Sequence, residues 1–547
     1  MTAMAQLTPP ARRTTQPVAD RAGSEGVRSP HWLPPALAAI VALAIAALQP
    51  TVGWASALRC GGSLDASAPF LEHSAGDAPR MVLAAGDLDG DGLDDLLHGY
   101  PHDDANDMGL AIGMIAVGDP VGMEYGFSGA GGNDVQSGWA VAIGDFDGNG
   151  VDDAAYSAPG VRSDGLVLLW TREFEAGSWP SQLANSTTQD RYGEALAAGD
   201  FDGDGYDDLA VGFPEAGVFP PGGTTALPRA GTVHVLHGGP AGLDRLVPYQ
   251  RYFLDRRIHG LGGVQANEAF GAALAVGDFD DDGIDDLAVG APFRSAGGSQ
   301  SGEVVVFFGN TAGLDSAELA RVDSTDVFGT AQSGARFGAA LAIGNFDQTF
   351  GCLVSFCFAD LAIGAPGLDL PGGQDQGAVA VVPADSQGLR PDQSYWFTQE
   401  QLDGAGALSE TGDRFGSVLH AAELDARPGV DLAIGVPEED VGGSVDQGVV
   451  HVVFGGAGGL NTARGAVTLS NDRGVFAPAE PGDRFGTAVT SGRFRTGGPR
   501  DLAVAVPLGG PDLDVERRVE WLLNVPGCLF ADDFENGNTS AWLPIPP

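Results

Sequence analysis

Short apolar segments separated by polar loops recur along most of the chain. The repeated phrase is an apolar segment rich in small residues, an acidic loop, and then Asp followed by a second apolar segment that usually ends in Pro. Short apolar runs bounded by Gly, Asp and Pro are typical of β-strands joined by tight turns. The phrase occurs seven times, with second segments that open at Asp95-Leu96, Asp153-Ala154, Asp208-Leu209, Asp286-Leu287, Asp360-Leu361, Asp431-Leu432 and Asp501-Leu502.

Each repeat has room for four strands. The first segment is crowded with Ala and Gly, as at 271–277, which suits inner strands around a narrow axis. The second is a continuous apolar run, as at 287–292, and the third alternates, as at 302–307. No repeat could cover its apolar faces alone, so stacking in a closed ring is the physical solution. The sequence therefore predicts an all-β fold, a seven-bladed β-propeller.

The first four repeats carry an almost identical nine-residue acidic loop between the first and second strands. Oxygen ligands at positions one, three, five and nine, with the carbonyl of position seven, can surround a hard cation, and Gly at position six permits the sharp turn. The predicted ligands are Asp87, Asp89, Asp91, Leu93 and Asp95; Asp145, Asp147, Asn149, Val151 and Asp153; Asp200, Asp202, Asp204, Tyr206 and Asp208; and Asp278, Asp280, Asp282, Ile284 and Asp286.

Calcium is the ion that such flexible carboxylate loops fit best, and about four Ca²⁺ sites are predicted. An EF-hand would need flanking helices and a Glu at position twelve, where this chain has His98, Tyr156, Val211 and Val289. Simple turns are the other alternative, which four copies before the same type of strand disfavour. The last three loops depart from the pattern, and no Ca²⁺ is predicted there.

Charge and length bound the remaining possibilities. The chain has 547 residues and a formal net charge of −45, which repels nucleic acid and anionic membranes.

Arginines precede an apolar run at 36–48, and a small-residue cleavage site lies at 55–57, so a signal peptide is predicted for 1–57. The run is too short to span a bilayer as a helix. The propeller is predicted for 58–525 and a short tail for 526–547, in a secreted or cell-surface chain without a stable membrane span.

Four cysteines are an even number in a chain predicted to be exported, so disulfides are plausible and three pairings are possible. Closure of a propeller would bring the chain ends together. This favours one short bridge and one bridge that joins the two ends over the other two pairings. A zinc site is disfavoured because the chain has no CxxC motif and no His at ligand spacing. The two pairs are Cys352 with Cys357 and Cys60 with Cys528.

A family resemblance rests on the ends of the strands. Phe270-Gly271 with Gly290-Ala291-Pro292, and Phe337-Gly338 with Gly364-Ala365-Pro366, resemble the FG-GAP repeats of integrin α-subunits. The similarity extends over about 64–525 and implies the propeller fold and Ca²⁺ in the acidic loops. Unlike integrins, this chain has its acidic loops in the first four repeats, so the order of blades need not correspond.

We interpret the chain as a secreted, calcium-binding adhesion or protein-recognition module, monomeric, with an unidentified extracellular protein or polysaccharide ligand. The alternatives are a lectin-like propeller and a hydrolase-associated protein. Because HExxH and GxSxG motifs are absent from the sequence, the chain is predicted not to be an enzyme. Two insertions, 219–229 and 251–265, are candidate loops for contact with a ligand. The alternative is that they are solvent-exposed loops without a binding role.

Overall fold

The computed structural model describes residues 62–63, 81–101, 110–115, 136–160, 165–170, 181–185, 191–243, 253–256, 261, 263–347, 358–386, 388–403, 409–425, 427–460, 462, 466–470, 481–494, 499–507 and 518–522. The predicted signal peptide, all four cysteines and the C-terminal tail lie outside these ranges. The domain boundaries and the disulfides therefore stay predictions.

Nearly all regular structure in the described ranges is β-strand, as predicted. In chain order the strands are β1 (Gly62–Ser63), β2 (Val82–Gly86), β3 (Asp95–Tyr100), β4 (Leu110–Ile115), β5 (Val141–Gly144), β6 (Asp153–Ser157), β7 (Leu166–Trp170), β8 (Ser181–Asn185), β9 (Ala195–Gly199), β10 (Asp208–Phe213), β11 (Thr232–Leu236), β12 (Phe253–Leu254), β13 (Ala273–Gly277), β14 (Asp286–Ala291), β15 (Glu303–Phe308), β16 (Asp315–Asp323), β17 (Leu341–Gly344), β18 (Asp360–Ala365), β19 (Ala378–Val382), β20 (Ala384–Asp385), β21 (Gly388–Leu389), β22 (Tyr395–Phe397), β23 (Val418–Ala422), β24 (Asp431–Val436), β25 (Val449–Val453), β26 (Val467–Ser470), β27 (Val489–Gly492), β28 (Asp501–Val506) and β29 (Arg518–Leu522).

Helices are few and short. They are α1 (Ser324–Phe328), α2 (Glu400–Asp403) and one 3₁₀ turn (Pro391–Gln393). Within the described ranges, none of the helices has the length and apolarity required to cross a membrane.

The strands form antiparallel sheets arranged as the blades of a propeller. Five sheets are complete four-stranded blades, in the orders β5-β6-β7-β8, β12-β11-β10-β9, β13-β14-β15-β16, β17-β18-β19-β22 and β23-β24-β25-β26. The first strand of each sheet lies beside the first strand of the next, and β27 lies beside β2. The prediction of an all-β propeller is thus confirmed.

Seven blades were predicted, and two further sheets accompany the five complete blades. Strands β2, β3 and β4 form a sheet of three strands within the described ranges, and β27, β28 and β29 are joined by β1. In the latter, Gly62 pairs with Trp521, so this sheet is assembled from distant parts of the chain. A repeat-by-repeat reading expects four successive strands in each unit and does not anticipate either arrangement. Seven blades remain a prediction.

The two glycines of the repeated strand ends meet between adjacent sheets. A Cβ placed on Gly290 would lie 2.1 Å from the carbonyl oxygen of Gly338 in the next sheet. The same contact joins Gly212 to Gly271, at 2.2 Å. Real Cβ atoms do not approach carbonyl oxygens this closely, so these positions exclude side chains at the present sheet spacing. The paired glycines of the repeat therefore serve the packing of neighbouring sheets.

The core lies between sheets rather than within one. The aromatic residue of the repeat is buried at Tyr192, Phe270, Phe337, Phe415 and Phe485. Second and third strands are buried along almost their whole length, as in β14 and β24. Burial on both faces explains why these strands are continuous apolar runs instead of alternating ones.

Candidate metal centre

The acidic loops connect the first and second strands of each sheet. Loops one to four are residues 87–95, 145–153, 200–208 and 278–286, and loops five to seven are 345–360, 423–431 and 493–501. Strands flank the described loops on both sides, which agrees with the rejection of an EF-hand. Position two of every loop has a buried apolar side chain. These residues are Leu88, Phe146, Phe201, Phe279, Phe346, Leu424 and Phe494.

The carboxylate at position one organises the turn of each of the first four loops. In loop one, Asp87 Oδ1 accepts hydrogen bonds from the N–H groups of Gly90 (2.6 Å) and Asp91 (3.1 Å), and its Oδ2 accepts from Gly92 N–H (2.9 Å). Asp200 in loop three accepts the same three bonds at 2.7, 3.1 and 2.9 Å. Backbone donors therefore draw the loop around this carboxylate.

Position six requires a left-handed backbone, which glycine adopts without strain. The φ angles are 88° at Gly92, 83° at Gly150, 88° at Gly205 and 86° at Gly283. The turn inferred from the sequence is therefore present in all four loops. A position-five side chain then caps the backbone two residues further on, as where Asp91 Oδ1 accepts from Leu93 N–H at 2.8 Å.

The Asp at position nine is buried in all seven loops, including those with no predicted ion. In loop four, Asp286 accepts from Phe279 N–H at 2.7 Å and from Gly309 N–H at 2.8 Å. In loop six, Asp431 makes the same two contacts with Leu424 and Gly455, both at 2.9 Å. In loops three to six this carboxylate therefore ties the loop to the end of the third strand, whether or not an ion is predicted there. The residues are Asp95, Asp153, Asp208, Asp286, Asp360, Asp431 and Asp501.

Several predicted ligands lie close enough to share one ion. Ligand atoms within 4.8 Å of one another are found in Asp87, Asp89 and Asp95; in Asp200, Asp202 and Asp204; in Asp278, Asp280 and Asp282; and in Asp202, Asp208 and His237. The structure thus contains acidic clusters that could bind metal in loops one, three and four. His237 was not among the predicted ligands.

Loop two has a different indication of a cation. Asp153 is 0% exposed, and within the described part of the chain its carboxylate is approached only by Phe146 N–H, outside normal hydrogen-bond geometry. Burial, reinforced by Asp147 and Asp145, raises the pKa of Asp153 to about 8. A buried carboxylate with neighbouring negative charges is unfavourable without a positive partner. The surroundings of Asp153 therefore fit a bound cation.

Position eight joins each loop to its neighbour, a role that the sequence did not indicate. The N–H of Asp207 in loop three donates to the carbonyl oxygen of Asp145 in loop two at 3.1 Å, and Asp207 Oδ2 accepts from Asp145 N–H at 2.9 Å. We call this exchange a loop-to-loop pair. The backbone bond recurs around the ring at 3.0 to 3.1 Å, from Asp94 to Arg493, Asp152 to Asp87, Asp207 to Asp145, Asp285 to Asp200, Ala359 to Asp278, Val430 to Asn345 and Arg500 to Glu423.

The side-chain half of the pair is restricted to loops one to four. Asp152, Asp207 and Asp285 accept from the position-one N–H of the preceding loop at 2.9 to 3.1 Å, and Asp94 accepts from Arg493 N–H at 2.8 Å. Burial raises the pKa of Asp152, Asp207 and Asp285 above the usual range. Loops five to seven have Ala359, Val430 and Arg500 there and keep only the backbone bond. Two consecutive Asp residues at positions eight and nine were the sequence feature that could have indicated this side-chain bond.

Two segments of the chain match a known family of repeats. The FG-GAP repeat profile matches residues 192–236 and 270–307. These segments include loops three and four and the strands on either side of them. The family resemblance inferred from the strand ends is therefore confirmed.

Two groups of curated proteins are similar to this chain. Bovine phosphatidylinositol-glycan-specific phospholipase D is 38% identical over 143 residues, which cover 25% of this chain and 16% of the relative. The human enzyme is 32% identical over 247 residues (43% and 25%), and chicken integrin alpha-V is 31% identical over 189 residues (34% and 16%). The matches thus span a quarter or less of these relatives' own length.

The phospholipases contradict the prediction that this chain is not an enzyme. They are enzymes by name and are at least as similar to it as the integrin is. The prediction rested on two missing hydrolase motifs, and many catalytic arrangements use neither. Classification as a non-enzyme was therefore wrong.

The loop-to-loop pair yields a test that does not depend on metal. In EGTA, we expect Asp207→Ala to lower the free energy of unfolding by about 1–3 kcal/mol, because the N–H of Asp145 loses its acceptor in a partly buried position. Asp207→Asn keeps an oxygen acceptor and should cost less. Chemical denaturation of both variants measures the difference, and an unchanged stability in Asp207→Ala would exclude a structural role for the pair.

Proposed function

This chain contains FG-GAP repeats, and we propose that it is a secreted seven-bladed propeller that uses Ca²⁺ to stabilise its acidic loops. In this proposal the face of the propeller opposite the acidic loops recognises an extracellular macromolecule. The calcium and the recognition face are supported by separate observations. The buried Asp153, with no well-formed hydrogen bond and two acidic neighbours, carries the calcium part.

Seven blades are supported by the ring of backbone hydrogen bonds between neighbouring loops. Seven backbone bonds link seven loops, and the bond from Asp94 to Arg493 joins the first loop to the last. A blade beyond these would interrupt the series. The three-stranded sheet β2-β3-β4 and the sheet β1-β29-β28-β27 supply the first and seventh blades in this proposal.

Calcium is favoured over magnesium by the ligand set. Each of the first four loops offers carboxylate or carboxamide oxygens on a loop already folded by its own backbone bonds, and Ca²⁺ accepts such variable oxygen geometry whereas Mg²⁺ requires a near-ideal octahedron. The apolar anchor at position two and the buried Asp at position nine hold the loop ends in place. Binding therefore needs little reordering of the chain.

Export is supported by the leader-like sequence at 1–57. The expected mature protein begins near Leu58. Mass spectrometry of the protein recovered from culture medium tests this, and an intact Met1 on the exported protein would contradict it.

A recognition face is supported by exposed apolar side chains at the ends of the sheets opposite the acidic loops. Phe219 is 52% exposed in the loop between β10 and β11, and Val445 is 58% exposed in the loop between β24 and β25. These loops follow second strands that begin at acidic loops, so they lie at the other end. Phe219 also falls in a predicted contact insertion. Loops that a rigid scaffold positions commonly carry binding residues.

The calcium proposal predicts a change of stoichiometry at a single loop. We expect Asp147→Ala in loop two to reduce the bound Ca²⁺ by one ion per chain, because it removes a ligand beside Asp153. The matched control is Asp425→Ala in loop six, at the same loop position, which should leave stoichiometry unchanged. Equilibrium dialysis with elemental analysis measures both, and equal stoichiometry in all three proteins would overturn the proposal for loop two.

The recognition proposal predicts loss of binding from the opposite face. Phe219→Ser with Val445→Ser should abolish binding to cell-surface proteins in pull-downs, while Trp396→Ser, on the outer strand β22 and 40% exposed, should leave it intact. Each variant must retain the wild-type melting temperature. Glycan-array binding that is lost only in Trp396→Ser would instead establish the lectin alternative.

A second candidate is favoured by the phospholipase relatives. In this candidate the chain takes part in hydrolysis of a phosphatidylinositol-glycan anchor, with the propeller holding the substrate. Release of an anchored reporter protein from vesicles by the purified chain would support it. No release above a heat-denatured control, with Ca²⁺ present or absent, would eliminate it for this chain.

A further inference from the structure

We propose that loop three is a mixed nitrogen and oxygen site that selects a first-row transition ion, with Zn²⁺ as the test ion, through His237, Asp202 and Asp208. The inference rests on the proposed function in that loop three is taken as a cation site. It changes the identity of the ion there and adds a ligand from outside the loop.

The imidazole lies directly against the carboxylates. His237 Nδ1 is 3.2 Å from Asp208 Oδ2 and 3.4 Å from Asp202 Oδ2. Ligand atoms bound to one Zn²⁺ at about 2.0–2.2 Å lie roughly 3.0–3.5 Å from each other. Both distances from the imidazole nitrogen therefore match those that a shared ion of this size requires, and the three ligand atoms all lie within 4.8 Å of one another.

The chain holds the imidazole there by two features. Gly238 N–H donates to Asp208 Oδ1 at 2.8 Å, which places the preceding residue, His237, beside loop three. On its other side the ring lies near Gly313, where a Cβ would be 3.2 Å from His237 Cε1. His237 is also mostly buried, with 19% of its side chain exposed. The ring is thus confined between the loop and the neighbouring sheet.

Among loops three to six, only loop three has a histidine at this position. The N–H groups of Gly309, Ala384 and Gly455 make the bond equivalent to that of Gly238, to Asp286, Asp360 and Asp431. The preceding residues are Phe308, Pro383 and Phe454, none of which can ligate a metal. The position is therefore structurally equivalent in these sheets but carries a ligand in one.

Ligand chemistry then determines the ion. Ca²⁺ takes oxygen ligands, whereas imidazole nitrogen suits Zn²⁺ and other first-row transition ions. Two carboxylates with one imidazole leave further positions for water or for loop oxygens such as those of Asp200 and Asp204. Loops one, two and four, with oxygen ligands alone, should keep their preference for Ca²⁺.

The test is calorimetric titration of the whole protein with Zn²⁺ in excess Ca²⁺. Wild type should bind one Zn²⁺ per chain. His237→Phe introduces the residue found at the equivalent position beside loops four and six, and it should weaken Zn²⁺ binding by about 10- to 100-fold or more, since loss of even an outer-shell partner costs that much. His237→Gln gives the same test in a polar variant. Zn²⁺ should also shift the ¹⁵N resonances of the His237 ring.

The converse variant is Phe308→His, which places an imidazole beside Asp280 and Asp286 of loop four and should create a second Zn²⁺ site. Equal Zn²⁺ affinity in wild type, His237→Phe and His237→Gln would overturn the inference. So would the absence of Zn²⁺ binding in a wild-type protein that binds Ca²⁺, and the proposed function would survive that result. A protein that binds neither ion would refute both.

Discussion

The buried carboxylate at the ninth position of each acidic loop is the interaction on which the rest of the ring depends. In loops three to six it accepts hydrogen bonds from the second residue of its own loop and from the end of the third strand, as Asp286 does from Phe279 and Gly309. The same arrangement persists in loop six, where Asp431 has few acidic neighbours. The Asp therefore shapes the loop first, and metal binding is an added property of the loops with further acids.

The cost of this arrangement is electrostatic. Burial raises the pKa of Asp153 and Asp286 to about 8, and that of Asp360 and Asp431 to about 7. Loops one to four place further carboxylates close by, so like charges accumulate where solvent screening is weak. A divalent cation relieves that repulsion. The loop-to-loop pairs then connect each such site to the next, through Asp152, Asp207 and Asp285.

The sequence predicts the repeated parts of this molecule well, because a pattern that recurs seven times overcomes the ambiguity of any one copy. The position of the Asp loops between first and second strands, the left-handed glycine at position six and the burial of the second strand were all inferred correctly. The loop-to-loop pairs were missed since Asp145 and Asp207 are distant in sequence and meet only when two sheets adjoin. His237 was missed because it lies outside its loop and is brought to Asp208 by the third strand. The sheet that includes β1 needs both parts of the chain, which no local pattern shows.

Thermal unfolding in Ca²⁺ and in EGTA tests most directly whether cations and buried carboxylates together hold the ring. The account predicts a lower midpoint in EGTA by several degrees, since an ion at 100 times its dissociation constant stabilises the fold by about 2.7 kcal/mol per site. Returning Ca²⁺ should restore the midpoint. An identical midpoint in both buffers, for protein whose Ca²⁺ content changes as expected, would contradict the account.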